Sequence, residues 1–409
     1  MTTLARRPPI LVYCQHLLGL GHVLRASRLA RALGAAGERV LLVTGGLPLP
    51  DLDLRGTEEI RLPPLTAADE GAGTLVTPTG EAPDPAYLAA RRARLLSLLE
   101  TADPAIVLLE LFPFGRHALA FELAPLLLAV ADQRRRRGPA APRVVVSLRD
   151  VLVGKHNQPW HELTVTGVVL QWVDRVLVHG SPDLIPLSRT FGLAERLGER
   201  LVYTGYLADP AHGRPGEGAH GEVLVSAGGG RVGGPLFRAA LAARALAPTA
   251  AARPWRLLTG PYLPEAERAE FDALAAGLPP VAGRPALVVE RFRPDFPALL
   301  RGASLSISQG GYNTVLDLLA AGVRAVVVPF DGSGDEQPLR ARLLAERGFL
   351  RVVEAREPSP PALAVAMESA LTTPGWPTPA RLDLDGARRS ARLLGALVDE
   401  VAAARTPAR

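Results

Sequence analysis

A single cysteine, Cys14, occurs in 409 residues, so no internal disulfide can form and a disulfide-built secreted scaffold is excluded. Lysine is almost absent: Lys155 is the only one, and the other members of the 46 basic residues are arginine. The P-loop, which ends in Gly-Lys-Ser/Thr, therefore has no counterpart. Cysteine and histidine never cluster at the spacing of a structural zinc site. No apolar run approaches the roughly 20 residues that a membrane-spanning helix needs. Arg6 and Arg7 lead into a short strand-like run rather than a signal-peptide core. Together these absences give the expectation of a soluble, unprocessed chain in a reducing cytoplasm.

The hydrophobic fraction of 48% and charged fraction of 21% match an ordinary globular balance. At roughly 150 residues per domain, the length suits two α/β domains. The net charge of +5 arises from 46 basic against 41 acidic residues scattered along the chain, which is no footprint for a nucleic-acid partner. The one dense run, Arg134 to Arg137, reads as the end of a surface helix before Gly138-Pro139. Peripheral contact with the anionic inner face of a membrane is the alternative reading of that run.

Ile10 to Cys14 is apolar and is followed by Gly19-Leu-Gly21-His22, then by Leu29, Ala30 and Leu33 at helical spacing. Strand, glycine loop and helix therefore open the chain. Val40 to Val43, Ala105 to Leu109, Val144 to Ser147 and Arg175 to His179 read as further buried strands. Alternating strands and helices imply a parallel sheet covered on both faces. Residues 209–221, rich in Gly, Pro and His, read as a linker. The opening plan then repeats, with a strand over Glu222 to Ser226, glycines 228–230 and a helix. Strands near Trp255 to Thr259, Ala286 to Glu290, Leu305 to Ser308 and Ala325 to Pro329 continue it. The expected domains are 1–208, 222–385 and a terminal helix and tail, 386–409, able to pack on either half.

A glycine loop between strand and helix lets backbone approach a ligand and aims N–H groups at an anion. The dinucleotide fingerprint is not met, because Leu24 stands at the third glycine position and the second strand ends in Val43-Thr44-Gly45 rather than an acid. A nicotinamide dehydrogenase is not expected. The stretch from Ser308 to Gln337 is more informative. Gly310 and Gly311 follow a strand and open a helix whose N-terminus can face a diphosphate. Asp317 lies farther along that helix, suited to a ribose diol, and Glu336 and Gln337 follow the next strand, suited to sugar hydroxyls. Asp51-Leu-Asp53 and Asp383-Leu-Asp385 imitate an Asp-x-Asp metal motif, but two carboxylates underfill a divalent shell. No metal is expected.

The sequence resembles the GT-B glycosyltransferases of the MurG type, the UDP-N-acetylglucosamine transferases and their bacterial relatives. The resemblance rests on Tyr13-Cys-Gln-His-Leu-Leu-Gly-Leu-Gly-His22 with Arg25, Phe112-Pro-Phe-Gly-Arg116, Ser226-Ala-Gly-Gly-Gly230, and Gly310-Gly-Tyr-Asn-Thr314 with Asp317 and Gln337. It implies an α/β, GT-B architecture of two Rossmann-like domains with parallel sheets facing an interdomain cleft. The C-terminal domain would hold a UDP-sugar as donor substrate, with no cofactor. Asp317 matches the ribose-binding acid, shortened from glutamate, and Gln337 a donor-sugar contact. Arg291 and Phe292 match the segment framing the nucleobase. Gly228, Gly229 and Gly230 match a diphosphate loop, with Arg231 beside it, and Gly310, Gly311, Tyr312, Asn313, Thr314 and Glu336 complete the donor set.

On the acceptor side the matching positions are Gly19, Gly21, Arg25, Phe112 and Arg116. The expected reaction is inverting transfer of a hexose or N-acetylhexosamine to an unknown hydroxyl acceptor. A UDP-sugar epimerase of the same fold and a non-catalytic nucleotide-sugar-binding protein are the alternatives. Such transfer needs a base for the acceptor proton. His22 is the first candidate, with an ordinary imidazole pKa near working pH and a helix-capping role as the competing reading. Glu110 is the second, with a buried acid paired to Arg116 or Arg149 as its competitor. His16 and Asp150 follow them.

Overall fold

The computed structural model describes residues 7–17, 20–49, 52–68, 73–154, 157–208, 221–228, 232–293, 295–330, 336–354, 358–377 and 382–406. Gly19, Asp51, Lys155, Gly229, Gly230, Arg231 and most of the expected linker lie outside these residues. The chain forms two compact units, one comprising Met1–Leu207 with Asp385–Arg409, the other Ala208–Leu384.

The first unit holds strands β1 (Ile10–Cys14), β2 (Val40–Thr44), β3 (Glu58–Arg61), β4 (Thr66–Ala67), β5 (Leu75–Val76), β6 (Ile106–Glu110), β7 (Arg143–Arg149), β8 (Arg175–His179) and β9 (Leu201–Tyr203). Its leading helices are α1 (Gly21–Ala35), α2 (Pro85–Ala102), α3 (Ala120–Arg137) and α4 (Gln158–Trp172). Seven strands make one sheet in the order β3-β2-β1-β6-β7-β8-β9, with every neighbouring pair parallel. β4 and β5 form a separate antiparallel pair.

Alternation within β1 explains why it lies at the centre. Leu11 and Tyr13 enter a core with residues of α2 and α3, while Ile10, Val12 and Cys14 enter the opposite core with residues of α1. A strand buried on both faces carries apolar residues at every position, as parallel sheets covered by helices require.

The second unit repeats the plan. Its strands are β10 (Val223–Ser226), β11 (Trp255–Leu258), β12 (Leu287–Glu290), β13 (Leu305–Ser308), β14 (Ala325–Val327) and β15 (Arg351–Val352). Its helices are α5 (Gly234–Arg244), α6 (Pro248–Ala251), α7 (Glu265–Gly277), α8 (Phe296–Gly302), α9 (Tyr312–Ala321), α10 (Glu336–Glu346) and α11 (Pro360–Thr372). The sheet order β12-β11-β10-β13-β14-β15 reverses between β10 and β13, as the first sheet reverses between β1 and β6. Ligands of open parallel sheets bind beyond the strand C-termini at such reversal points.

The terminal helix α12 (Gly386–Arg405), which could have packed on either half by its sequence, belongs to the first unit. Ala391, Leu394, Leu397, Val398 and Val401 share a core with Val23, Leu29 and Leu33 of α1. Arg405 donates to the carbonyls of Asp103, Pro104 and Ala140. The arginine run closes α3, as its sequence context suggests. Arg134 pairs with Asp174, Arg137 with Asp103, and Arg135 and Arg136 with Asp132.

A buried ion pair, unforeseen from the sequence, ties α2 to α3. Arg91 donates to both oxygens of Glu122, at 2.8 and 2.9 Å, and to Gln15 Oε1 at 2.7 Å, with both charged side chains fully buried. Tyr13 adds its hydroxyl to Glu122. A Cβ on Gly45 would come within 2.3 Å of the Arg91 guanidinium, so only glycine lets the loop after β2 close over it. Breaking such a pair leaves one charge buried without its partner. Arg91→Met is therefore expected to destabilise the protein by about 3–5 kcal/mol, read by urea denaturation with circular dichroism. The double variant Arg91→Met, Glu122→Leu is expected to recover most of the loss; a single variant as stable as the parent would contradict this account.

Candidate active site

At the reversal point of the first sheet, β6 ends in Glu110 and the loop after β1 leads into α1. Helical periodicity then sets His22 in the first turn of α1 and Arg25 three residues on, the same helical face in both cases. Glu110 Oε1 receives His22 Nδ1 at 2.8 Å and also the Arg25 guanidinium. Glu110 Oε2 accepts from Ser147 Oγ, at the end region of β7, at 3.0 Å. Glu110 is thus a buried acid, as its competing reading held, but its partners are Arg25 and His22 rather than Arg116 or Arg149. His22 lies inside a helix, not on a loop edge, and is 14% exposed through its side chain.

Burial works against the Glu110 charge, but Arg25 and the bonds from His22 and Ser147 overcome it and hold the carboxyl at about 2. Burial, then the Arg116 charge, push His22 down to about 3 despite Glu110. The ordinary imidazole pKa expected from sequence is therefore corrected: His22 is neutral throughout the physiological range. A neutral imidazole beside a carboxylate must donate from the nitrogen that faces it. Nδ1 carries the proton, and Nε2 keeps a lone pair able to take one.

The remaining first-unit candidates have structural positions. His16 bonds through Nε2 to the Leu47 carbonyl at 2.9 Å, and Asp150 caps the Val151 N–H at 2.8 Å. Phe112, expected on the acceptor side, is instead buried in the core with Phe114. Its place in the motif is explained by packing. Gly21 is exposed and Arg116 half-buried.

In the second unit, Ser226 ends β10 and Ser308 ends β13, paired in register across the reversal point. Both hydroxyls are buried, with no hydrogen-bond partner among the described residues. Beyond Ser308 the chain passes Gln309, whose amide reaches the Val232 carbonyl at 3.5 Å, and enters α9 at Tyr312. Among the described residues no side chain caps α9 at Gly311. The first N–H groups of a helix have no partner within it and favour negative charge. Asn313 and Thr314 are half-buried in this first turn, and Asp317, farther along the same helix, is buried.

The structure brings Gly310 and Gln337 together: a Cβ on Gly310 would lie 3.4 Å from Gln337 Cβ and 3.3 Å from Val327 Cγ1. Gln337 Oε1 accepts from the Phe330 N–H at 3.0 Å. Glu336 pairs with Arg340 at 2.8 Å. Arg340 also donates to the Gly310 carbonyl at 3.2 Å and lies 5.4 Å over the Tyr312 ring. Gly228, with a φ of 55°, follows β10. Arg291 turns to Glu265, while Phe292 is 57% exposed beside it. Asp53 and Asp385, from the two Asp-x-Asp sequences, pair with arginines 55 and 388.

Residues 237–374 match the glycosyltransferase family 28 C-terminal domain. A UDP-N-acetylglucosamine--N-acetylmuramyl-(pentapeptide) pyrophosphoryl-undecaprenol N-acetylglucosamine transferase of Rhodospirillum centenum is 28% identical over 375 residues, 88% of this chain and 86% of that one. The transferase of the same name from Prochlorococcus marinus is 36% identical over 75 residues, 18% of this chain and 21% of its own length. The chain thus spans only about a fifth of that curated relative in the match. Among solved structures, MurG of Acinetobacter baumannii gives a TM-score of 0.56 at 18% identity, covering 96% of this chain and 100% of that one. The chain has the GT-B fold and resembles the MurG-type glycosyltransferases.

Within this GT-B chain, several residues stand at the site whose side chains the sequence reading gave no role. Ser147, His179, Arg340, Ser226 and Ser308 join or flank the two clusters described above. Four of the five lie on strands already recognised as apolar runs, at or near the ends that face the reversal points. A polar residue closing such a run was the available signal. For Arg340 it was the four-residue spacing from Glu336.

The two buried imidazoles make stability depend on pH with a definite sign. His179 is also held at about 3, by burial and then the Arg25 charge. Unfolded histidines titrate near 6.5, so below that pH the unfolded chain takes up protons that folded His22 and His179 refuse. Stability is full above about pH 6.5 and falls toward pH 3. The depressed Glu110 acts in the same direction at lower pH, its contribution being lost as pH falls from about 4.3 through its folded value. The melting temperature is expected to drop between pH 7 and pH 5, and less steeply in His179→Gln. An unchanged slope in that variant would contradict the buried neutral imidazole.

Proposed function

We propose that this chain is an inverting, metal-independent glycosyltransferase in which the second unit binds a UDP-sugar and the first supplies the base. The carrying observation is the Glu110 carboxylate on His22 Nδ1, which leaves Nε2 as the proton acceptor. In the reaction, Nε2 takes the acceptor hydroxyl proton while the oxygen forms a bond to the anomeric carbon. The bond from that carbon to the diphosphate breaks, and UDP leaves with the electron pair from the face opposite the attack. Glu110 stabilises the imidazolium that forms, as a carboxylate does in a catalytic triad.

For the donor, the N-terminus of α9 and the loops at Gly228 and Gly310 are proposed to meet the diphosphate through backbone N–H groups. Asp317 takes the ribose diol, Gln337 the sugar through its amide NH2, and Phe292 the face of the base. The names of the relatives favour N-acetylglucosamine as the sugar and a lipid pyrophosphate-linked acceptor. Such an acceptor suits a cytoplasmic enzyme peripheral to the inner face of a membrane. No described helix is long and apolar enough to cross one.

Two variants test the division of labour. His22→Ala is expected to bind UDP with near-parental affinity in calorimetry while its turnover, read as UDP release from UDP-N-acetylglucosamine, falls by about a hundredfold or more. Asp317→Ala is expected to weaken UDP binding by about 1–3 kcal/mol, the scale of a charged hydrogen bond. Parental turnover in the first variant, or parental affinity in the second, removes that residue from its role.

A further inference from the structure

Behind Glu110 the hydrogen bonding continues across the sheet. Glu110, Ser147 and His179 lie at or near the C-terminal ends of the adjacent strands β6, β7 and β8, and Thr204 follows β9. Ser147 Oγ is 3.0 Å from Glu110 Oε2 and 3.0 Å from His179 Nε2, and His179 Nδ1 is 2.8 Å from Thr204 Oγ1. None of the four is more than 2% exposed. Their neighbours on the same strands, Val145, Val146, Leu177 and Val178, are all apolar.

The directions of these bonds follow from counting protons. An ionised carboxylate only accepts, so Ser147 gives Glu110 its single hydroxyl proton. Ser147 Oγ must then accept from His179 Nε2–H, and the neutral His179 ring accepts at Nδ1 from the Thr204 hydroxyl. The Thr204 hydroxyl also lies 3.1 Å from the Gly205 carbonyl and 3.4 Å from that of Val178; turned to His179, its nearest partner at 2.8 Å, it completes an assignment in which all donors point toward Glu110 Oε2. On the other oxygen, His22 and Arg25 donate. A buried network with every member matched is rigid and specifies one arrangement. Fold stability alone gives no reason for it, since well-packed apolar residues often serve a core as well or better.

We propose that Ser147, His179 and Thr204 are positioning residues that fix the Glu110 carboxylate against His22 and so keep the imidazole in the tautomer whose Nε2 accepts the acceptor proton. The inference rests on His22 being the base. The charged and titratable groups around Glu110 are His22 and Arg25 from α1, Cys14 from β1, Arg116 after β6, Arg149 from β7 and His179 from β8. With Ser147 removed, Oε2 loses its donor, the carboxylate can rotate, and the single tautomer is no longer enforced.

The test uses the full chain with 15N-labelled histidine, its ring nitrogens read by long-range proton–nitrogen correlation and the His22 signals assigned with His22→Gln. Turnover is read as UDP release from UDP-N-acetylglucosamine. The parent is expected to show His22 with Nδ1 protonated. Ser147→Ala is expected to show mixed tautomers and a kcat lower by about tenfold or more, with KM for the donor unchanged, and Ser147→Thr to restore both. His179→Leu breaks the same relay one step back and supplies the same readout if Ser147→Ala folds poorly. A single Nδ1-protonated tautomer and parental kcat in the folded variants overturn the relay and leave the base standing. A parent with His22 protonated on Nε2 overturns both.

Discussion

A carboxylate buried where the first sheet reverses direction is the constraint on which the rest depends. Burial alone would neutralise Glu110; Arg25, His22 and Ser147 together keep it ionised at about 2. Its charge in turn dictates which imidazole nitrogen of His22 carries the proton. Burial first, and then the charges of Arg116 and Arg149, push His22 to about 3, so the histidine is unprotonated before any acceptor arrives. Glu110 raises the basicity of the imidazole through its hydrogen bond and its charge, against the burial and the arginines that lower it.

The two units solve one folding problem twice. Each builds an open parallel sheet whose order reverses beside its first strand, and each gathers its polar groups beyond the strand ends at that point. The first unit carries an ionised carboxylate, an imidazole and a guanidinium there, a set suited to moving a proton. The second carries two buried serine hydroxyls with no partner among the described residues, a helix start and a carboxylate in the same helix, the set proposed to hold a diphosphate and a ribose. Gly310 marks how closely the second set is assembled, since a Cβ there would already be in contact with Gln337 and Val327.

Much of this was legible in the residues. The runs at Ile10, Val40, Arg175 and Leu305 became strands because continuous apolar sequence between glycine-rich turns has few other solutions in an alternating pattern. The stretch from Gly310 to Gln337 announced a helix start and a return to the same loop. Long-range pairing was not legible. Glu110, at a strand end, could by sequence have met Arg116 or Arg149, and only the fold brings Arg25 and Ser147 to it. Nothing in the sequence marks Arg91 and Glu122 as partners, and it is the packing of α2 against α3 that buries them together. Phe112 stood within a motif and turned out to serve the core. Burial depth also set the His22 pKa, and no spacing of residues encodes that.

The most direct measurement is the titration of His22 in the intact protein, followed through its ring carbon and proton chemical shifts from pH 8 downward. The account predicts a neutral imidazole across the range in which the protein stays folded, with any midpoint far below the ordinary 6.5. A midpoint near 6.5 would show an imidazole that burial and the neighbouring arginines do not depress, and the buried, neutral His22 of this account would be contradicted.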